Sequence, residues 1–283
     1  MAWVLFALLC IVSATSWVVP RDGVLPVMEQ QGLVFALAGL AALLFVRGSR
    51  VTRVWWKVAL AGVGFFGIPV VTAEVARGSV GEISRSALFA MVPVVVVLGM
   101  VVADASSGAR RLLVPALVGI GGLWLLLPLN FSGTVRGRLM SLLIGAAVVG
   151  VGLSSVWLYR LLHGAGLAVG VAVIGLGNAV FLLGCGAVRG ELAVSGIASV
   201  VSFASGVDLV EVVLLVWLLR EMLPVRFAAR FLTIPLLTIL ESYVVMRPQW
   251  DVRMVFGTVL LAVGAGALLL LRDVDQEAVL SLR

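Results

Sequence analysis

Histidine is almost missing from this chain. His163 stands alone among 283 residues, which excludes the multi-histidine metal centres of membrane proteases, desaturases and haem proteins. Cysteine is nearly as scarce: Cys10 and Cys185 both fall in apolar runs, so no disulfide framework is indicated and both read as small core residues. Charged residues make up only 12% against 62% hydrophobic, and the mean hydropathy is +1.21. A soluble core cannot absorb that much apolar surface. The chain has no GxSxG elbow and no phosphate-binding loop, and its glycine run GLGNAVFLLG lies inside an apolar span. Its net charge of +6 comes from basic residues scattered through loops, without the aromatic-interleaved patch that nucleic acid requires. The opening run MAWVLFALLCIVSATSW lacks the basic n-region of a secretory signal and reads as a retained first helix. Neither enzymatic activity nor a cofactor, metal or nucleic-acid partner is expected.

What the sequence has instead is a series of apolar runs of spanning length. Each transmembrane helix needs about 20 predominantly apolar residues. Turn-rich and charged breaks such as RGSRVTR, ADASSGARR, NFSGTVRGR and MRPQWD divide the chain. The spacing predicts helices near 2–19, 31–46, 55–75, 86–103, 112–129, 138–161, 166–187, 195–220, 225–246 and 253–271. The expected fold class is an all-α polytopic membrane protein of about ten spans, with the bilayer as its first partner. Placing both termini in the cytoplasm puts twelve of the twenty Lys and Arg residues inside, Arg226 and Arg230 among them. The loop RGSRVTRVWWK is the strongest cytoplasmic anchor.

The runs also repeat. LFAMVPVVVVLGMVV around Pro93 matches ARFLTIPLLTILESYVV around Pro235, 142 residues later. Trp17 in ATSWVV aligns with Trp157 in SSVWLY at a spacing of 140, and VGIGGLWLLL at 118–127 resembles VGAGALLLLR at 263–272 at a spacing of 145. Three collinear matches point to two five-helix halves, 1–133 and 134–283. An odd number of spans per half inverts the second copy in the membrane, the architecture used for alternating access around a midplane site.

The paired proline helices SRSALFAMVPVVVVLGMVVAD and RFAARFLTIPLLTILESYVV, each followed by a glycine-rich helix, resemble the EamA-type repeats of the drug/metabolite transporter superfamily. The resemblance covers nearly the whole chain. It implies ten helices with both termini inside, a central cavity between the halves, and export or exchange of a metabolite, amino acid or drug across a plasma or inner membrane. One departure stands out. The family often carries a glutamate after each proline helix, whereas here Asp104 takes that place in the first half, and Arg247 and Pro248 in the second.

Two carboxylates sit inside an apolar run, Asp208 and Glu211 in FASGVDLVEVVLLVWLL. Their spacing of three puts them on one helix face, and a carboxylate facing lipid there costs roughly 2.5 kcal/mol or more. They are therefore expected to face a wet interior and to bind a cationic group of a solute or a coupling proton or cation, or else, structurally, to pair with Arg or hydrogen-bond a neighbouring helix. Glu241, six residues after Pro235, has Gly99 as its counterpart in the first half, the kind of asymmetry that an asymmetric solute needs. Glu74, nearer the outer end of its helix, is expected to be solvated or to pair with Arg77. Pro93 and Pro235 each remove a backbone hydrogen bond and are expected to act as kinks, hinges or cavity lining. Asn178 and the interfacial Trp17 and Trp157 are further cavity candidates. With no nucleotide-binding domain, the expected function is a secondary transporter of a small organic solute. The alternative is a non-transporting membrane protein, a lipid-acting enzyme or an assembly partner.

Overall fold

The computed structural model describes residues 1–15, 25–46, 54–104, 110–127, 134–190, 192, 203–246 and 251–271. Every regular element among them is helical. The first four rods are α1 (Ala2–Ala14), α2 (Val27–Leu43), then α3 (Trp55–Gly62) and α4 (Ile68–Val75) joined by a π turn at Val63–Gly67, and α5 (Glu82–Phe89) running into α6 (Val92–Asp104). After them come α7 (Leu113–Leu126), α8 (Val135–Leu162), α9 (Leu167–Val188), α10 (Phe203–Glu221), α11 (Pro224–Ala228) continuing as α12 (Arg230–Met246), and α13 (Val252–Leu270).

Among the described residues six stretches are long and apolar enough to cross a membrane: Trp55–Val75, Glu82–Val102, Val135–Leu162, Leu167–Val188, Pro224–Val245 and Val252–Leu270. The chain is a helical membrane protein by these lengths and compositions. α1, α2 and α7 are equally apolar but shorter among the described residues. α10 has 19 residues and carries Asp208, Glu211 and Arg220. α8 is the longest helix at 28 residues, or about 42 Å, more than the hydrocarbon thickness, so it must tilt or project. Its start is set locally: the Thr134 side chain caps it by accepting from the Gly137 N–H at 3.1 Å.

Two helix pairs hold the bundle by backbone contact. α2 lies along α9, and α7 along α13, more intimately than any other pairs. Glycine makes this possible. A Cβ on Gly175 would stand 2.8 Å from the Gly39 Cα, and one on Gly122 would stand 2.5 Å from the Leu261 N and 2.7 Å from the Gly257 O. Gly119 and Gly264 meet in the same way one turn along. Close approach of this kind replaces the hydrophobic drive that lipid removes. Between these pairs, α6 packs on α8, α1 on α12, and α10 on α1, α2 and α8.

Among the described residues three rods are interrupted, and each of them contains a proline. Pro69 stands at the second position of α4, and ahead of it the helix widens into the π turn, with the Ile68 N–H bonded to the Val63 carbonyl. The wider turn makes room for the proline ring, which in an α-helix collides with the carbonyl four residues back. The Pro93 rod differs from the expected mid-helix kink. Its break lies at Ala90–Met91, so Pro93 falls in the first turn of α6, where its missing N–H has no helical partner to lose. Pro235 is internal to α12, and a separate break at Ala229 precedes it.

The glycine contacts predict an asymmetric response in one helix. Gly122→Ala should lower unfolding stability by about 1–3 kcal/mol through overpacking against backbone. Gly121→Ala, with nothing within 4 Å of its Cβ, should be neutral or stabilise by up to about 1 kcal/mol through helix propensity. Thermal melts of the purified protein in one detergent check the pair.

Candidate functional site

The broken rods surround a cavity of about 510 Å³, within the range of about 300–1,000 Å³ typical of small-molecule sites. α2 contributes Gln31 and Phe35, the π turn Phe65 and Phe66, α4 Glu74, and the turn after it Arg77. α5 adds Glu82, Arg85 and Phe89, α8 Val151, α10 Asp208 and Glu211, and α12 Arg230 and Phe231. The π turn presents two consecutive phenylalanines to the bundle interior, Phe65 stacking edge-on against Phe66 at 4.7 Å and Phe66 against Phe35 at 5.4 Å between ring centroids.

At one end of the cavity the charges are paired by sequence neighbours. Arg77 meets Glu74 at 2.8 Å, as the spacing of three suggests. Arg85 reaches Glu82 at 3.3 Å and donates from Nη1 to the Ala73 carbonyl at 2.7 Å, tying α5 back to α4. Gly78, at φ 80°, supplies the left-handed residue that the turn between these helices needs.

Deeper in, the groups come from distant parts of the chain. Asp208 is buried and Glu211 half-buried, both lining the cavity from α10. Ser13 of α1 donates to Glu211 Oε1 at 2.7 Å, short enough for a charge-assisted bond. Glu211 also lies on a second, apolar hollow of about 340 Å³ between α1 and α10, walled by Leu8, Leu9, Val12, Val207, Val210 and Leu214. Arg230 lines the same cavity from α12, and its charge interacts with that of Glu211. Its guanidinium sits 4.5 Å from the ring centre of Phe227, 4.7 Å from that of Phe231 and 5.1 Å from that of Phe65. Its Nε is buried without a hydrogen-bond partner among the described residues.

Of the residues singled out from sequence, Asp208 and Glu211 are thus brought together at the cavity. Glu241 is half-buried further along α12 and is not among the lining residues. Pro93 is buried at the start of α6, and Pro235 sits four residues after Phe231, so the carbonyl it leaves without an amide partner belongs to a cavity residue. Asn178 is fully buried behind the π turn, donating from Nδ2 to the Ile174 carbonyl at 2.8 Å and packing against Gly62 and Gly67. Trp157 is 44% exposed on α8, and Trp17 lies outside the described residues. The correction concerns Arg230. Counted with the cytoplasmic loops by charge alone, it lines the cavity, where aromatic rings and a carboxylate offset part of its desolvation. The signal was present in sequence: Arg230 lies five residues inside the stretch drawn as the ninth helix.

No family model matches the chain, and no curated protein matches it. Sixteen chains of solved structures do. One of them, described only as the crystal structure of a protein, superposes with a TM-score of 0.70 over 96% of this chain and 99% of its own, at 19% identity. The two share a fold.

The cavity makes a labelling prediction. With Cys10 and Cys185 replaced by Ser, Ala73→Cys on the cavity wall should react with a charged, water-soluble thiol reagent. Ala38→Cys, buried in α2 at 2% exposure, should stay unlabelled under the same conditions, read by mass shift of the intact protein.

Proposed function

We propose that this chain is a secondary transporter that moves a small organic solute by alternating access, with ten spans arranged as two inverted five-helix repeats, 1–133 and 134–283. The observation that carries the reading is the cavity: an open hollow of solute size in a helical bundle, lined by ionisable groups from distant rods. Ionisable side chains at membrane depth are expensive, and substrate or ion pathways are where they occur.

The helix pairing supports the same reading. α2 and α9 are the second rods of their halves, α7 and α13 the fifth, and each pairs with its own counterpart. Exchange of the halves also turns the α1 and α12 contact into that of α8 and α6. A two-fold axis in the membrane plane generates pairings of this kind, and rocking of one repeat against the other then opens the central site to alternate sides. Both chain ends are cytoplasmic in this arrangement. The solute's uphill movement draws on exchange or on a proton or cation gradient, with Asp208 and Glu211 as the groups that meet the solute or the coupling ion.

Proteoliposome counterflow tests the proposal, using a solute first identified by its stabilisation of the purified protein. Asp208→Asn and Glu211→Gln should each cut flux at least about tenfold, equivalent to about 1.4 kcal/mol at the site, while the melting temperature stays near that of the wild type. Glu241→Gln should have a smaller effect. Full flux in both α10 variants removes these residues from the mechanism, and no flux for any stabilising solute removes transport itself.

A further inference from the structure

Between α1 and α10 lies the apolar hollow that shares Glu211 with the central cavity. It holds about 340 Å³, room for roughly ten groups the size of a water at about 30 Å³ each. Its wall is aliphatic except at Glu211. We propose that this groove is a lipid site, filled by one acyl chain of a bilayer phospholipid whose headgroup stays outside it. The proposal goes beyond the transporter reading and does not rest on it. It needs only the membrane setting that the spans establish.

The shape suits a chain. On α10, Val207, Val210 and Leu214 stand one, four and eight residues after Gly206, which makes one face of a helix about 12 Å long. α1 supplies the facing wall with Leu8, Leu9 and Val12. The rim looks out of the bundle, since Leu8 is 46% and Val210 55% exposed, whereas Leu9 is buried. Part of the opening is the missing side chain at Gly206, where a Cβ would meet nothing within 4 Å.

The setting selects the occupant. A held water needs about two to four polar partners, and this wall offers one carboxylate, which already accepts from the Ser13 hydroxyl at 2.7 Å. Left empty, the groove would forfeit dispersion contact along its whole lining. In a bilayer the apolar material at hand is hydrocarbon, and a flexible chain fits a linear stripe. No basic residue lines the groove to receive a phosphate, so the headgroup stays at the membrane surface. A free fatty acid entering by its carboxyl end would set one acid against another. Because Glu211 belongs to both hollows, the bound chain packs against a residue that also lines the cavity.

The occupant can be identified by its mass. The photoreactive p-benzoylphenylalanine is placed at Val210, on the groove rim, and the full-length protein is illuminated after purification in detergent without added lipid. A chain seated in the groove survives that washing, whereas lipid that merely surrounds the bundle does not. The intact protein should therefore gain a phospholipid mass at least about tenfold more often than when the same group is placed at Val259, which is 53% exposed on α13. Gly206→Trp, which fills the groove, should bring the Val210 adduct down to the Val259 level, and Gly206→Ala should leave it unchanged. Should Gly206→Trp fail to fold, as read by its melt, the comparison of Val210 with Val259 decides.

An adduct of fatty-acid mass, a crosslinked dimer, no adduct at Val210, or equal phospholipid adducts at Val210 and Val259 overturns the proposal. So does a folded Gly206→Trp variant that keeps the adduct. Counterflow is read independently of all these masses, so the transporter reading stands or falls on its own test.

Discussion

The architecture depends on backbone meeting backbone at two glycine seams. Gly39 against Gly175, and Gly119 and Gly122 against Gly264 and Gly257, bring α2 to α9 and α7 to α13 at distances that no side chain permits. In lipid, where burying apolar surface between helices gains little, such contacts supply the dispersion and close packing that hold rods together. Because these outer pairs are locked, the rods between them need not fill every gap. The cavity lies where they do not, lined by α2, α4, α5, α10 and α12 and by the π turn.

An unfilled interior in a membrane protein is an electrostatic problem, and the chain solves it in layers. Neighbour pairs neutralise the α4 and α5 end, where the turn at Gly78 brings Arg85 back to the Ala73 carbonyl. Deeper, where charges come from separate rods, aromatic faces take over part of the task around Arg230, and a hydroxyl from α1 does so for Glu211. The proline breaks belong to the same region. A freed carbonyl is tolerable at membrane depth only beside protein groups or cavity water, and the residues four before Pro69 and Pro235 are Phe65 and Phe231, both on the cavity wall.

Much of this was legible in the residues, for reasons that differ by feature. The spans follow from hydropathy because lipid punishes unpaired backbone so heavily that helix is the only local solution. The third, sixth, seventh and tenth expected spans lie within a few residues of the observed ones. The pairing of Asp208 with Glu211 at a cavity was readable because three residues is nearly one helical turn. Arg230 was hidden by a counting rule, since charge tallies assign every basic residue near a helix end to a loop, whereas its position depends on tertiary partners far away in sequence. The π turn was hidden for another reason. Nothing in VGFFG announces a widened turn, and only the following Pro69 hints at the crowding that produces it.

That widened turn also sets the aim of everything after it. One extra residue in a helix rotates the remainder by about 100° relative to what precedes it. Val63–Gly67 therefore acts as an angular offset between the α3 face that packs on α9 and the α4 face that carries Glu74 to the cavity. Loss of a single residue anywhere in that short stretch would keep the span hydrophobic and long enough to insert, yet swing Glu74 and its ion pair away from the cavity. Length at this point of the chain is thus as constrained as identity, although no side chain there carries a charge.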